Sequence, residues 1–335
     1  MQLQSIDFLR RQLEDRRTRL RAGVAANGSE KDFVRLLQQV DSALSRLDTD
    51  TDAYARCLVC LEHVDESDLQ HNPLLEYCLC SLTSQQQRAL EHDLELARRI
   101  QAALLPDPDF HAGQWEASYS YEPAGVVSGD YCDLWTVPRE GGAVYFAVGD
   151  VSGKGVAASL LMAHIQAAFR SLLDAGMPLA DLVGRVNRRL LEASIPTHYA
   201  TLACGRAGAD GRVEIVNAGH CPPLVARGSV IDSIGPTGYP IGLVGEHDYE
   251  VSHAQMDDGD ALVLYTDGLT EALGPDGEEY GQQRVERLLA ERARATTPRR
   301  LVLAVRGDVT RFIGDSARAD DVTVLVLRRS TNGSA

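Results

Sequence analysis

No apolar run in the chain approaches the roughly 20 residues that a membrane-spanning helix needs, which excludes an α-helical span. The opening stretch, MQLQSIDFLRRQLEDRRTRL, is charged and amphipathic and lacks the apolar centre of a signal peptide. The expected location is therefore the cytoplasm, with no membrane partner. Lysine is nearly missing, since Lys31 and Lys154 are the only two among 33 basic residues. A basic excess is missing too. The formal charge of −15 argues against general affinity for nucleic acid, whose phosphates demand a basic footprint. Internal repeats and low-complexity segments are absent, and the polar end of the chain, 331–335, is expected to be a disordered tail.

At 335 residues the length favours two domains, and a hydrophobic content of 44% supplies a sizeable core. The acidity is uneven. Residues 1–50 carry nine basic and eight acidic side chains, so the excess of carboxylates lies further on. Most of it reads as a solvated acidic surface, and part as carboxylates gathered around cations. Four of the seven cysteines crowd into 57–80, whereas Cys132, Cys204 and Cys221 are scattered and read as small core residues. In a cytosolic chain the crowded set points to metal binding or core thiols rather than disulfides.

Apolar spacing predicts helices over 3–21 and 31–47, through Phe8, Leu13 and Leu20, then Phe33, Leu36, Leu37, Val40, Leu44 and Leu47. Between them AGVAANGSEKD contains Asn27-Gly28, a turn signal, and the pair reads as an antiparallel helical hairpin. A third helix is expected over about 84–105, stopped by Pro106-Asp107-Pro108. From Trp115 onward short β-type runs alternate with turns, at 115–121, 144–148, 199–205, 212–216, 249–255, 261–265 and 322–327. Helical patterns at 156–173, 179–193, 281–294 and 298–313 interrupt them. Strands, paired helices, then strands again predict an α+β sandwich rather than a doubly wound sheet. The expected organisation is an N-terminal segment 1–83, a linker helix 84–109 and a catalytic domain 110–330.

Chemistry concentrates where strands meet loops. Asp130 lies in VSGDYCD, Asp150 in AVGDVSGKG, Asp267 in LVLYTDGLTEA, and Asp320 with Asp321 in ADDVTVLVL. One Asp-Gly pair is an ordinary turn former, but four similar placements call for another cause. Carboxylates that converge on one rim of a sheet repel one another unless cations sit between them. Oxygen ligands without His or Cys favour Mg²⁺ or Mn²⁺, and two such ions serve phosphoryl transfer to water.

These residues sit in an ordered series: ARRIQAALLP (97–106), SGDYCD (128–133), GDVSGKGVAASLLMA (149–163), NAGHCPPLV (217–225), PTGYPIGL (236–243), YTDGLTEA (265–272) and DDVTVLVLR (320–328). The series resembles the SpoIIE/RsbU-like branch of PPM-type metal-dependent protein phosphatases over about 95–330. The resemblance implies a β-sandwich flanked by helices, two Mn²⁺ or Mg²⁺ ions, and hydrolysis of phosphoserine or phosphothreonine on a protein. It implies Asp150 as the ligand bridging both metals, the Val151 carbonyl on one of them, and Asp130, Asp267 and Asp320 as further ligands, with Asp321 replacing Asp320 if the register slips by one. Asp133 would stand behind the ligands, and Gly153 and Lys154 would form a phosphate-approaching loop or a plain flexible turn. Where eukaryotic members carry a histidine after the bridging aspartate, this chain reads Val151-Ser152-Gly153-Lys154, which leaves leaving-group protonation unassigned. The typical substrate of the branch is a small STAS-domain anti-sigma-factor antagonist, and the 84–105 helix looks like its regulatory linker, which often supports homodimerisation.

Cys57-x₂-Cys60 is followed by Cys78-x-Cys80, close to a four-cysteine zinc pattern. Residues 43–80, with a hairpin before them, resemble the DksA/TraR C4-type zinc finger. That implies one Zn²⁺ on Cys57, Cys60, Cys78 and Cys80, although the family's usual fourth cysteine would fall at Ser81. A regulatory protein partner at residues 1–90 is therefore expected. The rival reading is an RNA-polymerase-binding adaptor. Hairpin arms under 20 residues, reaching less than about 30 Å, weigh against it.

Overall fold

The computed structural model describes residues 3–27, 31–78, 80, 82–137, 142–173, 176–193, 199–245, 247–293, 296–314, 318 and 320–330. The tail at 331–335, Ser81 and Gly28 of the expected turn lie outside the described residues. Two compact units divide the chain, Met1–Asp93 and Leu94–Ala335. The boundary falls inside the helix Ser84–Leu104.

The first unit holds α1 (Leu3–Asn27), α2 (Lys31–Thr49), α3 (Thr51–Tyr54), α4 (Glu66–His71) and the start of α5 (Ser84–Leu104). Its core joins Leu9 and Leu13 of α1 to Val40, Ala43, Leu44 and Leu47 of α2, with Tyr54, Cys57, Val64 and Leu69 beneath. Phe8, expected on the buried stripe, is exposed, and Leu9 takes the interior place. The α1 helix continues to Asn27, six residues past its expected end. Its last turns are rich in alanine, a strong helix former. At 25 residues it is about 37 Å long, so the short-arm objection to the adaptor reading does not hold for α1.

The second unit is a sandwich of two antiparallel sheets. One has the order β1 (Asp109–Ala112), β2 (Trp115–Glu122), β11 (Val322–Arg329), β10 (Ala261–Tyr265), β7 (Leu224–Arg227), β8 (Val230–Ser233). The other runs β3 (Asp130–Thr136), β4 (Val144–Val151), β5 (Ala200–Ala207), β6 (Arg212–Ala218), β9 (Ser252–Gln255). α6 (Gly155–Leu172) and α7 (Leu179–Ala193) cover the outer face of the second sheet, while α9 (Gln282–Arg292) and α10 (Pro298–Ile313) cover the first. A single turn of helix, α8 (Asp267–Thr270), follows β10.

Strand alternation assigns the layers. Along β4, Val144, Phe146 and Val148 enter the core between the sheets, and Tyr145, Ala147 and Val151 meet the helices. Along β10, Leu262 and Leu264 point between the sheets, and Ala261, Val263 and Tyr265 meet α9 and α10. Both faces are buried, which is why these strands read as continuous apolar runs rather than alternating ones. An α+β sandwich flanked by helices was expected, and this is that fold.

Candidate functional site

The antiparallel register of β3 and β4 sets Asp130 directly opposite Asp150. Two like charges opposed across a strand pair destabilise it, so the pairing needs compensation. Both side chains share the face of their strands that looks towards the other sheet, because the period of a strand is two and the neighbours Cys132 and Val148 lie in the inter-sheet core. The opposing sheet supplies the rest at its matching end. β10 leads into Thr266 and Asp267, and Asp320 and Asp321 lead into β11.

Asp130 is buried, and its Oδ2 accepts hydrogen bonds from the Thr323 hydroxyl at 2.5 Å and the Thr266 hydroxyl at 3.0 Å. Burial holds its carboxyl well above the usual range despite the bond from Thr323, with Asp150 and Asp321 adding to the rise. Asp321 is committed elsewhere: its carboxylate accepts from the Ala124 amide at 2.7 Å and the Gly129 amide at 2.9 Å. It thereby pins the loop before Asp130. Asp320 stands further out, its Oδ2 3.1 Å from Lys154 Nζ. Asp150 is pushed up to about 7, first by burial and then by the charges of Asp267, Asp320 and Asp321, with Lys154 opposing. Asp267 is raised by burial and by Asp320. Glu271, one turn beyond Asp267, is raised by burial and by Asp267; nothing but its place in YTDGLTEA marks it in the sequence.

Glycines make the close approach possible. A Cβ on Gly129 would lie 3.2 Å from the Val151 carbonyl oxygen and 3.5 Å from Asp150 Oδ1. One on Gly268 would lie 2.0 Å from the Asp321 carbonyl oxygen, which any side chain would have to displace. Gly153, at φ 100°, opens the turn between β4 and α6 that carries Lys154. Beside the aspartates a cavity of ≈ 370 Å³ is lined by Lys154, Gly268, Glu271, Leu273, Arg318 and Asp320. Arg318 is ion-paired with Glu122.

Asp133 does not join this group. Three residues on from Asp130, it lies on the opposite face of β3, fully buried beneath α6. Arg170 of α6 pairs with it through Nη2 at 2.5 Å and Nε at 2.9 Å, and the Leu134 amide donates to it at 2.9 Å. Expected behind the ligands, it instead ties β3 to α6. His220 is buried, with Nδ1 2.8 Å from Thr201 Oγ1, and burial lowers it to about 4. It is a neutral packing group. Thr266 and Thr323, the hydroxyl pair on Asp130, had no signal in the sequence beyond adjoining the aspartate motifs.

The four cysteines form the other ligand cluster. Cys57, Cys60, Cys78 and Cys80 are, among the described residues, the one set of three or more metal-type side chains whose donor atoms all lie within 4.8 Å of one another. The Cys57–Cys80 and Cys60–Cys78 sulfur separations are 3.7 and 3.6 Å. Zinc–thiolate bonds of ≈ 2.3 Å in a tetrahedron place sulfurs about 3.8 Å apart, so the geometry fits zinc. Amides of Val59 and Cys78 donate to Cys57 Sγ at 3.4 and 3.3 Å. Backbone amides, that of Cys60 first, lower the Cys57 thiol to about 6, favouring the thiolate that metal requires. Leu61, at φ 61°, is the one non-glycine residue with positive φ among those described. The strain closes the Cys57–Cys60 turn, where Leu61 N–H bonds the Cys57 carbonyl at 3.0 Å.

Comparison with known proteins bears on the second unit. The family model Stage II sporulation protein E (SpoIIE) matches residues 140–330, more than half of the chain. The chain belongs to the SpoIIE family. Residues 140–330 are thus a SpoIIE/RsbU-type PP2C phosphatase domain, of a family that uses metal ions. Protein IcfG of Synechocystis sp. is 28% identical over 71% of this chain, a match that covers 42% of IcfG, so the chain spans less than half of that relative's length. Phosphoserine phosphatase RsbU of Bacillus subtilis is 24% identical over 72% of each chain. In fold, the SiaA-PP2C domain of Pseudomonas aeruginosa superposes with a TM-score of 0.63, at 21% identity, over 72% of this chain and 98% of that domain. The aspartates fit a metal centre on the evidence of the site itself. The carboxyls of Asp130, Asp150 and Asp267 are raised by burial first and then by neighbouring carboxylates, a repulsion that bound cations relieve. No helix among the described residues is long and apolar enough to cross a membrane.

Proposed function

We propose that this protein removes phosphate from phosphoserine or phosphothreonine on a regulatory protein, the substrate class being a small STAS-domain anti-sigma-factor antagonist. The observation that carries the reading is the convergence of Asp130, Asp150, Asp267 and Asp320 from both sheets on one end of the sandwich, with Asp150 raised to about 7. Asp130, Asp150, Asp267 and Asp320, with the Val151 carbonyl, would hold the metal ions, Asp150 standing among the other carboxylates. The commitment of the Asp321 carboxylate to two backbone amides supports Asp320 rather than Asp321 in that role. Two Mn²⁺ or Mg²⁺ ions, when bound, supply a nucleophile at neutral pH and stabilise charge on the phosphoryl group. The chain's part is to hold the carboxylates in a fixed, partly dry array, so that little reorganisation is needed during the reaction. Lys154 and the cavity beside Asp320 face the position of the substrate.

Residues 1–83 are proposed as the regulatory segment, held by one zinc on the four cysteines, and 84–109 as the linker to the catalytic domain at 110–330. The deciding experiment is Mn²⁺-dependent phosphate release by the purified full chain from a serine-phosphorylated STAS-domain protein. Release that requires Mn²⁺ and is lost in Asp150→Asn supports the reading. Equal release by wild type and variant, or none with any phosphoserine protein, refutes it.

A further inference from the structure

Lys154 occupies a place where local rules disfavour it. It is the N-cap residue of α6, with extended backbone (φ −133°, ψ 166°) and no side-chain capping bond. That position favours Asp, Asn, Ser or Thr, whose oxygen accepts an orphan amide, and the helix dipole opposes a cation there. Its neighbours Gly153 and Gly155 have φ of 100° and 74°. An added Cβ at either would meet nothing within 4 Å, so glycine is required there for its backbone freedom and not for space. Three consecutive residues are therefore devoted to presenting this lysine, in a chain that elsewhere uses arginine for nearly every cation. Residues that break a local rule without a structural return mark functional positions.

The side chain faces the aspartate centre. Nζ lies 3.1 Å from Asp320 Oδ2, and both side chains are a little under half exposed, at 43% and 44%. The same charge acts on Asp150, Asp267 and Glu271, so one ammonium serves a whole ring of carboxylates. It also lines the ≈ 370 Å³ cavity beside them. A carboxylate oxygen engaged by an ammonium is not available to a divalent cation, and two cations over one carboxylate repel. An ammonium released from Asp320 keeps three donors on a flexible stem and stands where helix amides also favour an anion.

We propose that Lys154 is a tethered cation that competes with metal for Asp320 and, once metal holds that carboxylate, turns to the phosphoryl oxygens of the substrate. This inference rests on the reading of the aspartates as the metal centre of a phosphatase. Metal loading and phosphoryl binding are then coupled, and by linkage each strengthens the other.

The test uses the full chain with its zinc in place. Mn²⁺ binding without substrate is followed by the electron paramagnetic resonance of the free ion. Lys154→Gln is expected to bind Mn²⁺ at least about fivefold more tightly, the size of effect a unit charge has at contact distance when fully screened by water. Lys154→Arg, which keeps the charge, should stay within about twofold of wild type. Inorganic phosphate is then titrated into Mn²⁺-loaded protein by calorimetry. Its affinity should fall about tenfold in Lys154→Gln and recover in part in Lys154→Arg. Unchanged or weaker Mn²⁺ binding in Lys154→Gln overturns the competition, and unchanged phosphate affinity overturns the phosphoryl role. Tighter Mn²⁺ binding in a protein that hydrolyses no phosphoserine substrate upholds the competition and refutes only the phosphatase reading.

Discussion

Two clusters of metal-type ligands lie in the two units of this chain, and they are assembled in opposite ways. The sulfurs come from one short stretch between Cys57 and Cys80 and lie within 4.8 Å of one another. The carboxylates come from positions as far apart as Asp130 and Asp321 and are spread more widely. The cysteine cluster belongs to the core of its unit, since Cys57 is buried and Cys60 and Cys78 pack against the same apolar residues. The aspartates, by contrast, sit at the end of a sandwich whose three apolar cores continue without them. One cluster is built into the core of a small unit, where apolar area alone is scant. The other is laid upon a fold that stands on its own.

The comparison breaks most sharply on substitution. Asp267→Asn should reduce Mn²⁺-dependent turnover at least about 100-fold while leaving zinc content and melting temperature intact. Cys78→Ser should do the reverse, losing zinc and the amide-exchange protection of residues 51–78 while β4 and β10 keep theirs. Protection lost equally in both units would show that the clusters are not independent. Next in size is the tie between β3 and α6. Arg170→Met leaves Asp133 as a buried, unpaired charge and should destabilise the second unit by about 3 kcal/mol, the low end of the usual range because Arg170 is 45% exposed. Denaturant unfolding measures it, and a loss below about 1 kcal/mol would remove Asp133 from the structural role.

Stability should also depend on pH in a direction set by Asp150. Its folded value, about 7, lies above the unfolded value near 3.9. The folded state therefore binds the extra proton, so its advantage is complete below about pH 4 and is lost as pH rises through 7. Metal-free protein should melt several degrees lower at pH 8 than at pH 5.5, and saturating Mn²⁺ should reduce that difference. A metal-free melting temperature that rises over this interval would contradict the raised carboxyl. The smallest effect expected is regulatory. Deleting residues 1–83 should change basal rate or metal affinity several-fold, and a truncated chain that matches the full one in both would make the N-terminal segment a mere tether.

Much was legible before any tertiary contact was known. Short β-type runs such as Val144–Val148 and Ala261–Tyr265 marked strands, and aspartates at their ends marked the rim where ligands gather. Cysteine spacing marked the sulfur cluster, because its members are neighbours along the chain. Some strands escaped notice: β1, β7 and β8 have four residues each, too few to show a period, and the seven-residue β3 was hidden by the two aspartates that interrupt its apolar run. The six-residue overrun of α1 was hidden because 22–27 was read as loop, whereas its alanines carry the helix right up to the Asn27-Gly28 turn signal. Composition, motif order and periodicity thus determined the fold class and the residue types of both clusters. The tertiary structure alone decided which aspartates meet. Asp130 faces Asp150 because of strand register, and Asp133 turns to Arg170 because it lies an odd number of residues away. Asp321 is taken by two amides while Asp320 meets Lys154, a division set by the loop before β3. Those choices depend on pairings between residues nearly 200 positions apart, which no local pattern encodes.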